Sequence, residues 1–202
     1  MSEAENTPLR KARGRYHHGN LRAALIEAAA SILETEGIEG LSLRAAARAV
    51  GVSQTAPYRH FEDREALLAA VAEKGFEDLL ERIGRSVNPR AGSPHDAVAA
   101  IGAAYVLFAA ERKALFRLMF GRDIRERARH EALSGAAEEV AHRIGRILND
   151  PGLGLGIWSA MHGLAWLVVE GVTDLGQGND PGLIQSRAEM LLRGLLEHVP
   201  AE

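Results

Sequence analysis

The sequence contains no cysteine among its 202 residues. This absence excludes a disulfide framework, a thiolate metal site and a cysteine nucleophile, and it fits a reducing compartment such as the cytoplasm. Residues that favour strands are also scarce, because Val, Ile and Thr together number 25 whereas Ala and Leu number 59. This balance favours helix over sheet and argues against an all-β fold.

Neither sign of charge is in large excess. The formal net charge is −3 and the sequence pI is about 6.3, which argues against a surface that is basic all over. Residues 1–64 carry nine Lys and Arg against eight Asp and Glu, whereas residues 65–202 carry 15 against 19. The more basic part of the chain is therefore its N-terminal third.

No targeting or membrane segment is expected. The first twenty residues carry four basic side chains between Arg10 and Arg15 but no apolar run, so they resemble neither a secretory signal nor a transit peptide. The uncharged run 97–110 has 14 residues, too few to cross a bilayer as a helix. These observations predict a soluble, cytoplasmic protein without a membrane partner.

Helix signals are present in the N-terminal third. Asn20, Ser42, Ser53 and Asp63 are suited to cap helices, and glycines at 37 and 51 are suited to end them. The pattern predicts three short helices followed by a long one. The third of these helices is expected to run from Ser53 to about Phe61.

The remaining chain also has helical spacing of its apolar residues. A loop is expected over 88–96, where Pro89, Gly92 and Pro94 occur. The predicted helices after it are an apolar one to 110, a short one to 120, a charged one over 123–148, and two more over about 153–175 and 183–198. The sequence therefore predicts an all-α fold of about nine helices.

The segment from Leu41 to Phe61 is the most informative. Two short helices joined by the turn Gly51-Val52-Ser53, after a longer packing helix, are the parts of a helix-turn-helix DNA-binding module. The last helix of this unit offers polar side chains that can bond phosphates and base edges in a major groove. These side chains are Ser53, Gln54, Thr55, Tyr58, Arg59 and His60.

Four N-terminal motifs and one distant motif agree with one another. They are Leu43-Arg44-Ala45-Ala46-Ala47, Gly51-Val52-Ser53, Pro57-Tyr58-Arg59-His60-Phe61, Arg64-Glu65-Ala66-Leu67-Leu68 and Trp158-Ser159-Ala160-Met161-His162-Gly163. The first four resemble the tetracycline-repressor-like (TetR) family of bacterial transcription regulators. The fifth is similar to the Trp-x-x-x-His-Gly (WHG) signature of one TetR subgroup, whose members also tend to carry His17-His18-Gly19-Asn20-Leu21.

The resemblance implies a DNA-binding transcriptional regulator rather than an enzyme. It is expected to be a homodimeric repressor that binds a palindromic operator and is released by a small molecule, without a cofactor. The implied domains are a basic arm over 1–16, a helix-turn-helix domain over 17–64, and a helical regulatory and dimerisation domain over 65–202. The implied DNA-binding residues are Arg44, Ser53, Gln54, Thr55, Ala56, Tyr58, Arg59, His60 and Arg64.

Three details of the DNA-binding region remain open. Glu62 stands where many TetR members have lysine, which removes a phosphate contact that Arg64 could replace. Arg13 and Arg15 either enter a minor groove as part of a flexible arm or belong to a solvated tail. Tyr58 either contacts a phosphate or is a core aromatic like Phe61.

The sequence of the C-terminal domain indicates a candidate ligand-binding surface and a candidate dimerisation surface. The helix that carries Trp158 and His162 is apolar nearly all round, so it should be buried on two sides. One face would meet the rest of its own subunit, and the other a partner copy or a hydrophobic or amphipathic ligand. The candidate ligand-binding residues are Phe108, Phe116, Met119, Phe120, Trp158 and His162, and the candidate dimerisation residues are Trp166, Val169, Leu191, Leu192 and Leu195. A hydrogen-bonded core histidine is the commoner situation for His162.

The other residue patterns in the sequence are weaker evidence for a function. The pairs Glu126/His130 and Glu138/His142 are spaced for a metal, but such pairs usually stabilise a solvated helix face, and no metal site is predicted. Gly152-x-Gly154-x-Gly156 has no strand before it and is interpreted as a helix entry. A small helical enzyme would need a catalytic set that the sequence lacks beyond His162, whereas a DNA-binding architectural protein without a ligand remains an alternative.

Overall fold

The computed structural model describes residues 20–87, 92–125, 130–175 and 180–197. Within these ranges the chain forms eight α-helices, one 3₁₀ helix and no strand, so the all-α prediction is confirmed. The helices are α1 (Leu21–Gly40), α2 (Leu43–Val50), the 3₁₀ helix (Ala56–Arg59), α3 (Arg64–Ser86), α4 (Pro94–Glu111), α5 (Lys113–Phe120), α6 (Glu131–Leu148), α7 (Pro151–Val169) and α8 (Pro181–Leu196).

Local capping sets the ends of the N-terminal helices. The side chains of Asn20, Ser42 and Asp63 accept hydrogen bonds from the backbone N–H three residues on, at 3.2, 3.1 and 2.8 Å. Gly51 ends α2 in the left-handed region with φ 74°. Gly37 also has a positive φ of 73°, and it kinks α1 three residues before the helix ends at Gly40. The first, second and fourth predicted helices therefore begin where the sequence indicated.

Helix α4 is the central element of the C-terminal domain. It packs against α3, α7 and α8, and its residues from Ile101 to Ala110 are all buried. Its N-terminus has a capping box between Ser93 and Asp96, so the helix begins at Pro94, inside the segment predicted as loop. Gly102 permits the close approach of α8, because a Cβ there would lie 2.2 Å from Leu192 Cδ1.

The last two helices begin with the same capping motif. Asp150 and Asp180 each accept hydrogen bonds from two backbone N–H groups, and each is followed by proline at the first helical position. Proline suits that position because its missing N–H has no intrahelical partner there. Helix α7 therefore starts at Pro151, within the predicted break, and it ends at Val169 rather than near 175. Residues 126–129, part of the predicted helix over 123–148, lie outside the described residues.

Glycine also allows α6 and α7 to cross closely. A Cβ at Gly154 would lie 2.5 Å from the Ala141 carbonyl oxygen and 2.6 Å from the Gly145 nitrogen. Both contacts are with backbone atoms, which cannot rotate away. The glycine-rich segment 152–156 thus lies inside a packed helix, as the interpretation of a helix entry requires.

Helix α7 is also an uncharged run of 19 residues, longer than the run 97–110 on which the membrane expectation rested. By length and composition it is the one described helix that could cross a membrane. The length of the run 97–110 therefore says nothing about whether α7 could span a bilayer. Core helices of globular proteins meet the same criterion, and α7 packs against α4, α5 and α6.

Candidate nucleic-acid interface and effector site

The segment predicted as the recognition helix is a short 3₁₀ helix. The Ala56 N–H donates to the Ser53 carbonyl at 3.0 Å, and the His60 N–H donates to the Pro57 carbonyl at 2.9 Å. An α-helix would need residue 57 to donate to that Ser53 carbonyl, and proline has no N–H. The expectation of an α-helix capped by Ser53 was wrong, since the Ser53 hydroxyl lies 3.2 Å from the Thr55 hydroxyl instead.

The 3₁₀ helix and the turn before it present polar side chains outward. Ser53, Gln54, Thr55, Tyr58, Arg59 and His60 are exposed, as is Arg44 on α2, and Ala56 is half-buried. Tyr58 is 52% exposed whereas Phe61 is 3% exposed. Phe61 is thus the core aromatic of this segment, and the Arg22 guanidinium lies 5.5 Å from its ring centroid. Tyr58, by contrast, is exposed on the surface of the module.

Arg64 has a structural role at the start of α3. Its Nε donates to the Leu41 carbonyl at 2.8 Å, and its Nη2 donates to the Ile38 carbonyl. These bonds tie α3 to the C-terminal end of α1 and so fix the frame that holds the recognition segment. Glu62, which departs from the family pattern, is exposed beside it. Arg13 and Arg15 lie outside the described residues.

Four of the six predicted ligand-binding residues meet in one aromatic cluster. We define the aromatic cluster as Tyr105, Phe116, Phe120, Trp158, His162 and Trp166. The His162 ring centroid lies 4.5 Å from that of Phe120, 5.3 Å from that of Trp158 and 5.6 Å from that of Phe116. Helices α4, α5 and α7 each contribute at least one ring, so the cluster joins the three elements.

The other two predicted ligand-binding residues lie elsewhere. Met119 is buried against α3, where a Cβ at Gly75 would lie 2.7 Å from its sulfur. Phe108 borders a depression of about 390 Å³ together with Arg82 and Glu111, which form an ion pair at 2.6 Å.

His162 has a hydrogen bond at each ring nitrogen. Its Nδ1 lies 2.8 Å from the Tyr105 hydroxyl, and its Nε2 accepts from the Trp166 indole N–H at 2.9 Å. Burial lowers the pKa of His162 and strongly raises the pKa of Tyr105, which the nearby Trp158 indole partly opposes. Both groups are therefore neutral near pH 7, and His162 is a half-buried histidine with a hydrogen bond at each ring nitrogen.

The predicted dimerisation residues divide into two groups. Leu191 and Leu195 are about half exposed on α8, whereas Val169 and Leu192 are buried within the protomer. Trp166 belongs to the aromatic cluster. Further exposed apolar side chains lie on or near α7 and α8, namely Leu155, Leu167, Val172, Leu183 and Met190.

Sequence reasoning did not identify two residues that organise these sites. Tyr105 provides the hydroxyl that bonds His162 in the aromatic cluster, and it stands out in the sequence as the sole hydroxyl within the uncharged run 97–110. Glu34 on α1 accepts hydrogen bonds from the Ala114 and Leu115 backbone N–H groups at 3.3 and 3.2 Å and from Arg112 Nε at 3.3 Å. No sequence signal points to Glu34, because its partners lie about 80 positions away.

The described residues hold no group of three or more His, Asp or Glu side chains that could bind a metal ion. Glu138 and His142 are both exposed on α6, and Glu126 lies outside the described residues. The interpretation of these pairs as solvated helix residues stays a prediction.

Comparison with known proteins agrees with the geometry of the N-terminal module. Residues 25–71 match the model of bacterial regulatory proteins of the tetR family, and residues 98–191 match a tetracyclin repressor-like C-terminal domain. An HTH-type transcriptional regulator of Mycobacterium tuberculosis is 30% identical over 165 residues, which cover 76% of this chain and 72% of that protein. The HTH-type regulator YobS of Bacillus subtilis is 32% identical over 93 residues, and the match spans about half of each chain, 46% and 48%.

Solved structures show the same fold. A Rhodococcus protein of unknown function superposes with a TM-score of 0.66 at 31% identity, over 90% of this chain and 98% of that one. The fatty acid degradation regulator FadR of Bacillus halodurans has the same TM-score at 15% identity, over 91% of this chain and all of the other. Assignment to the subgroup with the Trp-x-x-x-His-Gly signature stays a prediction. The matched N-terminal module, the matched C-terminal domain and the shared fold together show that the chain belongs to the TetR family of DNA-binding transcriptional regulators, which are not enzymes.

Proposed function

We propose that this protein is a repressor that binds a palindromic operator as a homodimer and releases it when a small molecule binds the C-terminal domain. The observation that carries the proposal is the row of exposed polar side chains from Ser53 to His60, held by a capped α2 and anchored by the buried Phe61. A polar segment of this kind, presented by a helix-turn-helix, reads a major groove.

The proposed DNA contacts fall into two classes. Gln54 and Thr55 are the candidates for base readout, because an amide side chain can bond adenine bidentately and a hydroxyl can bond several bases. Arg44, Tyr58, Arg59 and His60 are the candidates for phosphate contacts, which set orientation and affinity without reading sequence. Ser53 and Ala56 lie at the start of the segment, where they approach the backbone of the DNA.

Dimerisation is proposed through α7 and α8. On α8 the exposed Leu183, Leu191 and Leu195 follow one helical stripe, and the buried Ile184, Ala188, Leu192 and Leu196 follow the next. Val169, Leu192 and Trp166 then support the interface from within the protomer. A two-fold contact through this apolar stripe would bury it. It would also set the two recognition segments roughly 34 to 36 Å apart, the spacing of successive major grooves.

The effector site is proposed at the aromatic cluster, and Glu34 is the proposed route from it to the DNA-binding domain. Phe116 and Phe120 belong to α5, and the Glu34 carboxylate of α1 bonds the first backbone N–H groups of the same helix. A ligand that moves the rings moves α5, and α1 follows. The shift in operator affinity equals the difference in the ligand's affinity for the two arrangements.

Selection of bound duplexes from random DNA with the full chain tests the proposal, followed by fluorescence anisotropy on the selected operator. We expect a palindromic site bound by a dimer in light scattering. Tyr58→Phe and His60→Ala should weaken binding to operator and random duplex alike, whereas Gln54→Ala should change base preference at one position in each half-site. A monomer that binds every duplex equally would contradict the proposal.

The N-terminal arm needs a separate experiment. If Arg13 and Arg15 contact DNA, removal of residues 1–15 should reduce the dependence of affinity on salt, because each lost phosphate contact lowers the slope by about one. An unchanged slope would assign the segment to a solvated tail. A protein with these partners acts in the cytoplasm, where its operator is.

A further inference from the structure

The hydrogen-bond donors and acceptors in the aromatic cluster do not balance. An indole N–H can only donate, so the 2.9 Å bond from Trp166 uses the lone pair of His162 Nε2. The neutral imidazole then carries its proton on Nδ1 and donates it to the Tyr105 oxygen at 2.8 Å. The hydroxyl proton of Tyr105 therefore has no acceptor at His162.

A second donor of the aromatic cluster is unused. The Trp158 indole nitrogen is buried and makes no hydrogen bond of normal geometry in the described part of the chain, although its effect on the pKa of Tyr105 places it close to that hydroxyl. Trp158 and Tyr105 flank the same imidazole, with ring centroids 5.3 and 6.2 Å from that of His162. A buried donor without an acceptor is destabilising, and buried polar groups in proteins are usually paired. Two such donors beside one ring indicate a missing acceptor.

The aromatic cluster also lacks a charge that could hold an anion. The bonds of His162 are to Tyr105 and Trp166, both neutral. Burial lowers the pKa of His162, and no acidic neighbour acts against it to keep the ring protonated. A carboxylate would be buried here without a cation, which is costly. A carbonyl oxygen has two lone pairs and no charge, so it can accept from both donors.

We infer that the effector carries a neutral carbonyl oxygen, as in a ketone, ester or lactone, and that this oxygen accepts hydrogen bonds from the Tyr105 hydroxyl and the Trp158 indole N–H. This inference rests on the proposed function, because it names the chemistry of the same effector site. The apolar body of the ligand lies against Phe116 and Phe120. Trp158 and Phe120 are partly exposed whereas Tyr105 and Phe116 are fully buried, so the ligand enters past the first two side chains.

The chain contains only two tryptophans, and both belong to the aromatic cluster. Their indole N–H resonances can be followed by ¹H–¹⁵N spectroscopy on the full dimer and assigned with Trp158→Phe and Trp166→Phe. The probes are acetophenone, its near-isostere α-methylstyrene, which has a methylene in place of the carbonyl oxygen, and benzoate. We expect acetophenone to move the Trp158 N–H resonance downfield in a saturable titration and the other two probes to leave it in place.

Tyr105→Phe should weaken acetophenone binding about twofold to tenfold, the value of one neutral hydrogen bond. Equal shifts from acetophenone and α-methylstyrene would show apolar binding without the carbonyl contact and overturn the inference. A response to benzoate alone, or no response to any probe, would overturn it as well. Operator binding is measured separately. A dimer that binds its operator but shows no carbonyl-specific shift with the probes would refute the inference alone. A carbonyl-specific shift in a protein that binds no operator would refute the proposed function alone.

Discussion

Replacement of Glu34 tests the link between the two domains most directly. Its carboxylate accepts from two backbone N–H groups at the start of α5 and from Arg112 Nε, all at 3.2 to 3.3 Å. These distances are at the long end for N–H···O bonds, so each bond contributes about 0.5 kcal/mol rather than the upper value of the usual range. A negative charge at a helix N-terminus adds about 0.3 to 1 kcal/mol.

The sum predicts that Glu34→Ala lowers the free energy of unfolding by about 1.5 to 3 kcal/mol, since two half-buried N–H groups also lose their acceptor. For a domain of this size, that corresponds to a fall in Tm of about 3 to 12 °C. Glu34→Gln retains an oxygen that can accept from the same N–H groups, so we expect at most about half of this loss.

The assay is urea and thermal unfolding at one fixed protein concentration, because the proposed dimerisation would make stability depend on concentration. Glu36→Ala is the matched control, as Glu36 is an exposed carboxylate on the same helix. Operator affinity is then measured with and without an effector. We expect effector-dependent release to weaken in Glu34→Ala. Equal stabilities for the Glu34 and Glu36 variants would refute the reasoning, because the three hydrogen bonds would then contribute nothing.

Three further perturbations have defined outcomes. Gly154→Ala should lower the free energy of unfolding by about 1 to 3 kcal/mol or more in denaturant, because the added Cβ meets backbone atoms of α6. Gly156→Ala is the control: Gly156 has open space around it, so this variant should be neutral or stabilised by up to about 1 kcal/mol. Burial lowers the pKa of His162, so as the pH falls the unfolded chain takes up a proton at this residue before the folded chain does. The contribution of His162 to the free energy of unfolding should therefore be complete above about pH 6.5 and decrease as the pH is lowered through that value. His162→Gln should reduce this dependence of stability on pH. Leu191→Glu with Leu195→Glu should give a folded monomer in light scattering with unchanged helical circular dichroism, and a double variant that stays dimeric would exclude the proposed interface.

Features that depend on neighbouring residues were predictable from the sequence. The caps at Asn20, Ser42 and Asp63 and the left-handed Gly51 each act within three residues, so residue type alone identified them. The Asp-Pro-Gly starts of α7 and α8 follow an equally local rule, but proline and glycine together were interpreted as a break. The aromatic cluster was predicted in part, because i,i+4 spacing places Trp158 and His162 on one face.

Features that depend on long-range packing were not predictable. Gly154 and Gly102 resemble other helical glycines in the sequence, and only the tertiary fold shows that a Cβ at Gly154 would meet backbone atoms of α6 and that one at Gly102 would displace the Leu192 side chain of α8. Phe108 and Phe116 are both buried and lie in neighbouring helices, yet the tertiary fold places Phe108 beside the Arg82–Glu111 ion pair and Phe116 in the aromatic cluster. Periodicity shows that a residue is apolar on a buried face but not which neighbours it will meet.

Pro57 affects how specifically the protein can discriminate between DNA sequences. The 3₁₀ geometry and the fixed φ of proline give the segment a preorganised backbone that needs little ordering when it meets DNA. Such a backbone cannot readjust to a mismatched DNA sequence, so discrimination between sequences depends on the few side chains that project from it. A rigid recognition segment of this kind should bind a narrow range of DNA sequences. A change of specificity would then require exchange of its side chains, since its backbone cannot easily adopt another conformation.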